Sequence, residues 1–169
     1  MTAGKYEYEY GCGHEDLLNR LRVLEDKEAL RRLMIRGWRA LDRKDWGAWI
    51  DCWAEDAVLE FGPWGEVHGR EAVRAKVAEA EAHFPSMQHH ILNMDFQVDE
   101  DRATGIGYMW FVAVTRSEPS TSTYSMGGPY DWEFRRGPEG GWLLVRQRLG
   151  VWWTDGEETP QGLAGPGGR

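Results

Sequence analysis

A chain of 169 residues fits one domain, and with 41% hydrophobic and 28% charged residues it can bury a core without disulfide or metal staples. A net charge of −8 and a pI near 5.2 withhold the basic footprint of a nucleic-acid binder, and no Lys/Arg cluster supplies it. No apolar run approaches the ~20 residues of a bilayer span, and the acidic start MTAGKYEYEYGCGHEDLL lacks a signal-peptide core.

The expectation is therefore a soluble cytoplasmic protein that uses neither nucleic acid nor membrane. Its two cysteines, Cys12 and Cys52, fit no zinc spacing and read as reduced thiols.

Residues 1–13 read as a flexible segment, although Tyr6, Tyr8 and Tyr10 alternate as an edge strand would. From His14 to Asp42 the apolar spacing is helical, first through Leu17, Leu18 and Leu21, then through Leu30, Leu33, Met34, Trp38 and Leu41. A break is expected at Glu25-Asp26, with Asp26 capping a second helix that runs to about Lys44. DWGAWIDCWAEDA predicts a short helix with Trp46, Trp49, Ile50 and Trp53 on its apolar side. AVLEF reads as a strand, GPWGEVHG as a turn-rich connection, and GREAVRAKVAEAEAHF as a helix ended by Pro85.

Four strand-like runs follow, 86–98, 103–116, 121–135 and 141–154, separated by DEDR, SEPS and RRGPEGG. The tail TPQGLAGPGGR offers almost nothing to bury, so 14–154 is expected to be the folded domain and 155–169 a disordered end. Helices followed by antiparallel strands predict an α+β fold, a curved, mostly antiparallel sheet wrapped around N-terminal helices. Such a sheet leaves a cone-shaped cavity suited to a small molecule. Ten tryptophans exceed what packing alone asks for, and the surplus is expected to line it.

The chemistry concentrates in SMQHHILNMDF, where His89 and His90 are adjacent in a strand and so face opposite sides of the sheet. They cannot grip one metal ion, no third ligand stands at useful spacing, and no metal site is expected. Alternation puts His90, Leu92, Met94, Phe96 and Val98 on the greasier face. A simple core rule then buries His90, while a cavity of mixed lining selects His89, and the residues alone leave both open.

Asp42 stands in the last turn of its helix, four residues after Trp38 and seven after Ile35, where the helix dipole disfavours a carboxylate unless a positive group faces it. His14, His68 and His83 read as structural or solvated. GPWG and MGGPY lack the setting of a phosphate cradle, and Arg146 and Arg148 read as partners of surface acids.

ALDRKDWGAW, WAEDAVLEF, HGREAV, HHILN and GGWLLVRQR, in this order over roughly Leu24 to Trp153, resemble the SnoaL-like branch of the NTF2-like superfamily. The resemblance is nearest to the group of scytalone dehydratase, hexachlorocyclohexane dehydrochlorinase and bile-acid 7α-dehydratase. It implies a helix-end Asp paired with a strand His in His-x-x-x-Asn, which here are Asp42 and His89, with Asn93 trailing. A tyrosine one turn before the Asp is matched by Gly37 and Trp38, a first-strand tyrosine by Phe61, and an acid or second His by the neighbourhood of Trp110 and Phe111. Tyr108 is the hydroxyl that remains nearby.

The expected pocket thus sets Asp42 and His89 in an aromatic lining of Trp38, Trp49, Phe61, Trp110 and Phe111, with Asn93 and Tyr108 as polar members. The resemblance implies a cofactor-independent lyase or isomerase, of dehydratase or cyclase type, acting on a polycyclic or aromatic apolar small molecule. His89 would be the general base and Asp42 its orienting partner. The alternative is a non-catalytic ligand-binding protein or the small subunit of a ring-hydroxylating oxygenase. The group also implies a homodimer or homotrimer through the outer sheet face, a role open to Trp110 in place of the pocket.

Overall fold

The computed structural model describes residues 13–62, 64–156 and 163. Helix α1 spans His14–Asp42, α2 Trp46–Ile50 and α3 Arg70–Glu81. The strands are β1 (Trp53–Phe61), β2 (Gly65–His68), β3 (Ser86–Asp99), β4 (Arg102–Arg116), β5 (Ser122–Arg136), β6 (Trp142–Leu149) and β7 (Trp153–Gly156). They make one curved, open, mixed sheet in the order β2-β1-β6-β5-β4-β3, with β7 pairing along β5 beyond the end of β6. β1 runs parallel to β6 and every other pair is antiparallel.

α1 is a single helix and does not break at Glu25-Asp26. Asp26 is not a cap: its carboxylate accepts from Arg136 Nη2 at 2.7 Å and from Trp142 Nε1 at 3.1 Å, which ties mid-helix to the ends of β5 and β6. That charge-assisted bond outweighs the weak helix preference of Asp. Only the second half of the helix is covered, through Leu30, Leu33, Met34, Gly37, Trp38, Ala40 and Leu41, while Leu17, Leu18, Leu21 and Leu24 are exposed. Ile35 is exposed too, so it does not share the buried side of Trp38.

Below α1 the chain reverses through Asp45, whose carboxylate caps α2 by accepting from the Ala48 N–H at 3.0 Å. GPWGEVHG is more than a connection, since 65–68 form β2 against β1. Asp155 and Gly156 belong to β7, and Leu163 is buried, so these three residues of the expected tail are structured. The rest of that tail (157–162 and 164–169) and the expected N-terminal segment through residue 12 lie outside the described residues.

β4 alternates cleanly: Ala103, Gly105, Met109, Phe111 and Ala113 face the core, and Ile106, Tyr108 and Trp110 face out. β3 does not, because its register with β4 slips between Leu92 and Asp95. Two residues of β3 there oppose one of β4, and Asn93 takes φ 53°, a left-handed conformation that Asn tolerates better than most side chains. Before the bulge Met87 and His89 point inward; after it Phe96 does. The greasy face read from the sequence is thus half of one face joined to half of the other.

Candidate functional site

Two helix ends and one strand build the site. Trp38 and Leu41, on the buried stripe of α1, fix the rotation that turns Asp42 toward the sheet. Val73, Val77 and Ala80 do the same for α3, and Glu81 continues that apolar face four residues after Val77. Lys44, just past α1, donates through Nζ to the carbonyls of Ala82 at 3.0 Å and Phe84 at 2.6 Å, tying the end of one helix to the end of the other. β3 then presents His89 between them.

Asp42 Oδ1 accepts two bonds from one residue, the backbone N–H of His89 at 2.9 Å and its ring Nδ1 at 2.8 Å. A carboxylate only accepts, so the proton between them sits on Nδ1 and Nε2 is the nitrogen left for chemistry. On that side stands Glu81, with Oε1 3.7 Å from Nε2, an ion-pair distance too long for a hydrogen bond. The imidazole is 4% exposed and the Glu81 side chain 7%, so this charge cluster is shielded from bulk solvent. Phe111 and Phe84 back it, with the Phe111 ring centroid 4.6 Å from that of His89.

Burial works to lower the His89 pKa, but the carboxylates of Glu81 and Asp42 override it and raise it to about 9. Both acids end helices, so two helix dipoles point their negative ends at the same ring. Tyr130 is also close enough to feel both acids. Burial above all pushes its phenol pKa up, and its hydroxyl accepts from Trp38 Nε1 at 3.3 Å.

His89 and Glu81 open on a small cavity of about 40 Å³ that continues into open solvent. Trp38, Trp49, Phe61 and Trp64 form its aromatic side, Leu41, Leu59, Val77, Leu149 and Leu163 its aliphatic side, and Met109, Met126, Tyr130 and Gln147 its floor on the sheet. Among the described residues, Trp49 Nε1 and Glu81 Oε2 are buried atoms of this lining with no hydrogen-bond partner. No group of three His, Cys, Asp or Glu among the described residues is arranged to hold a metal ion.

The structure therefore brings together Asp42, His89, Trp38, Trp49 and Phe61. It corrects three expected pocket members. Asn93 is exposed and serves the bulge, Tyr108 is exposed on the outer face against Trp152 at 5.6 Å, and Trp110 is exposed there against His90 at 5.4 Å. Tyr108 and Trp110 follow from strand parity, for a neighbour of inward Met109 or Phe111 must point out, and Asn93 from the bulge. Phe111 does face inward, but it supports the imidazole from behind and does not line the cavity.

His90 is on the outer face. His68 pairs with Glu66, Arg148 with Glu60, and Arg146 with both acids. Glu81, Tyr130 and Gln147 were not anticipated. The spacing Val73–Val77–Glu81 carried the signal for the first, and the inward alternation of Tyr124, Met126, Tyr130, Trp132 and Phe134 the signal for the second.

No curated protein matches this chain. Among solved structures, an NTF2-like protein with a cystatin-like fold from Novosphingobium aromaticivorans is 26% identical, with a TM-score of 0.67 over 82% of this chain and 90% of that one. A protein from the same species, provisionally named a scytalone dehydratase, is 21% identical, with a TM-score of 0.68 over 90% and 96%. The hexachlorocyclohexane dehydrochlorinase LinA-type3 from Novosphingobium barchaimii is 18% identical, with a TM-score of 0.65 over 85% and 93%. The last two identities speak for the fold alone. Residues 22–148, three quarters of the chain, match the family model of the SnoaL-like domain, and the chain belongs to that family.

Proposed function

We propose that this protein is a cofactor-independent lyase or isomerase that moves a proton at a carbon of an apolar, aromatic small molecule. The observation that carries the reading is the buried Asp42–His89 pair at 2.8 Å, opening through Nε2 on an aromatic cavity. Asp42 holds the tautomer and stabilises the imidazolium that forms when Nε2 takes a proton. Trp38, Trp49, Phe61 and Trp64 offer flat apolar walls and suit a ring-bearing substrate. A carbonyl beside the C–H bond would make that proton removable, after which a leaving group departs, a double bond shifts or a ring closes. Names of structural relatives that include a dehydratase and a dehydrochlorinase support a reaction of this class.

β-Tetralone, a rigid benzo-fused ketone with acidic C–H bonds beside its carbonyl, tests the proton-transfer step before the natural substrate is known. In heavy water, wild-type protein is expected to accelerate exchange of those protons, read by NMR. Asp42→Asn and His89→Ala are expected to slow it by ~10²–10⁴-fold, the usual contribution of a positioned base. Exchange at the wild-type rate in both variants overturns the reading.

A further inference from the structure

The site holds a buried carboxylate that the Asp–His pair does not use. Glu81 is 5% exposed, lines the cavity, and faces His89 Nε2 through one oxygen while its other oxygen has no partner among the described residues. A buried, half-satisfied carboxylate is costly to keep unless something else occupies it. The sequence offers a general base here but no residue to protonate a leaving group, since the positions to which the resemblance assigns a first-strand hydroxyl and an acid fall on Phe61, Trp110 and Phe111.

The geometry points to Glu81 as that missing group: a second catalytic residue that works with His89 as one proton-carrying pair and delivers a proton from its carboxyl to the departing oxygen of a β-hydroxy carbonyl substrate. This rests on the base reading of His89 given above and goes beyond it, since an Asp–His pair alone needs no acid beside it.

The step balances without any outside reagent. At rest the pair's one proton sits on Nε2 against the Glu81 carboxylate; its shift to Glu81, as the 3.7 Å gap closes to hydrogen-bond distance, leaves a protonated carboxyl and a free lone pair on Nε2. Nε2 takes the proton from the carbon next to the carbonyl, and the C–H electrons become the new C=C bond. The C–O bond of the β-hydroxyl breaks, its electrons stay with oxygen, and the Glu81 proton completes a water molecule. The products are an enone and water, and the pair is left as imidazolium and carboxylate. That is the resting state, so the cycle closes. The pair carries one proton before and after, which suits a site where both side chains are more than nine-tenths buried. Because both groups lie on one side of the cavity, the proton and the hydroxyl leave from the same face of the substrate.

Two probes separate this inference from the reading beneath it. β-Tetralone exchange needs only the base. The naphthaldehyde–acetone aldol, a β-hydroxy ketone whose dehydration to a conjugated enone is followed by ultraviolet absorbance, needs base and acid together. Glu81→Gln keeps the shape and removes the transferable proton. It is expected to slow dehydration of the aldol ~10²–10⁴-fold more than it slows β-tetralone exchange. Exchange that stays well above the His89→Ala rate also shows the variant folded with its cavity intact.

Dehydration unchanged in Glu81→Gln overturns the role of Glu81 and leaves the base standing. Equal loss of both activities overturns it too, since Glu81 would then serve the base and not the leaving group. Wild-type exchange in His89→Ala overturns the base itself, and a wild-type protein inert to both probes overturns both.

Discussion

Asp42 grips His89 twice with a single oxygen, accepting from the backbone N–H at 2.9 Å and from ring Nδ1 at 2.8 Å. The backbone bond fixes the strand residue and the side-chain bond fixes its ring, so neither can rotate without the other. In Asp42→Asn an amide oxygen can still accept both bonds, but the negative charge is gone. The expected outcome is an imidazole with nearly native orientation and a lower pKa. Nitrogen NMR shifts of the His89 ring, followed against pH, check it. A titration midpoint at the wild-type position would show that the Asp42 charge does not act on the ring.

The raised His89 pKa also makes stability depend on pH. Below the ordinary value of 6.5, both folded and unfolded chains carry the imidazolium, and the favourable contacts with Glu81 and Asp42 contribute in full. Between 6.5 and about 9 only the folded chain keeps the proton, and the contribution declines. Above about 9 it is lost. Its size is on the order of 3 kcal/mol. Urea unfolding from about pH 6 to about pH 10 should show wild-type stability falling with rising pH, and Glu81→Gln should flatten that slope. Parallel slopes in the two proteins would contradict the assignment.

The pairing of Asp42 with His89 was legible because each sits on an element whose period shows in the sequence. Helical spacing ran unbroken from Leu30 through Trp38 to Leu41, and a strand His four residues before an Asn completed the resemblance. The interior of β3 was not legible. Its bulge at Asn93 reverses side-chain parity midway, and a strict alternation rule cannot see a residue that adds no step to the ladder. Asn93 therefore looked like a polar pocket member when its work is in the backbone.

The positions of Tyr108 and Trp110 are hidden for a different reason. Both faces of β4 carry large apolar side chains, so composition could not say which was inner. Glu81 is hidden because AEAEAH looks like a solvated helix end; only its register with Val73 and Val77 gives it away.

β4 tolerates no side chain where Trp132 lies against it. A Cβ on Gly107 would come 2.6 Å from Trp132 Cη2 and 3.2 Å from the Leu92 carbonyl oxygen. Trp132 cannot step aside, since its Nε1 donates to Gln147 Oε1 at 3.0 Å and its ring lies against Phe96 and Tyr130. Ala in place of Gly normally favours a strand slightly, but here overpacking decides the sign. Gly107→Ala is expected to lose ~1–3 kcal/mol of stability by urea unfolding. A stabilised variant would mean that the Trp132 ring is free to move.

Lys44 sets how far apart the two acids of the site stand. Asp42 ends α1 and Glu81 ends α3, and Lys44 Nζ bridges the two helix ends through the carbonyls of Ala82 and Phe84. These bonds also place a cation at the negative end of α3. Lys44→Met keeps the aliphatic stem and removes both donors. A loss of roughly 1–3 kcal/mol of stability would follow from the broken charge-assisted bonds alone. The sharper expectation concerns the site itself. With α3 no longer tethered, Glu81 drifts from its place 3.7 Å from Nε2, and the His89 titration midpoint falls from about 9 toward its ordinary value. Lys44→Arg, which restores a donor to the same carbonyls, should bring the midpoint back. A Lys44→Met protein that is less stable but titrates His89 where the wild type does would reduce Lys44 to a helix cap with no hold on the spacing of the acids.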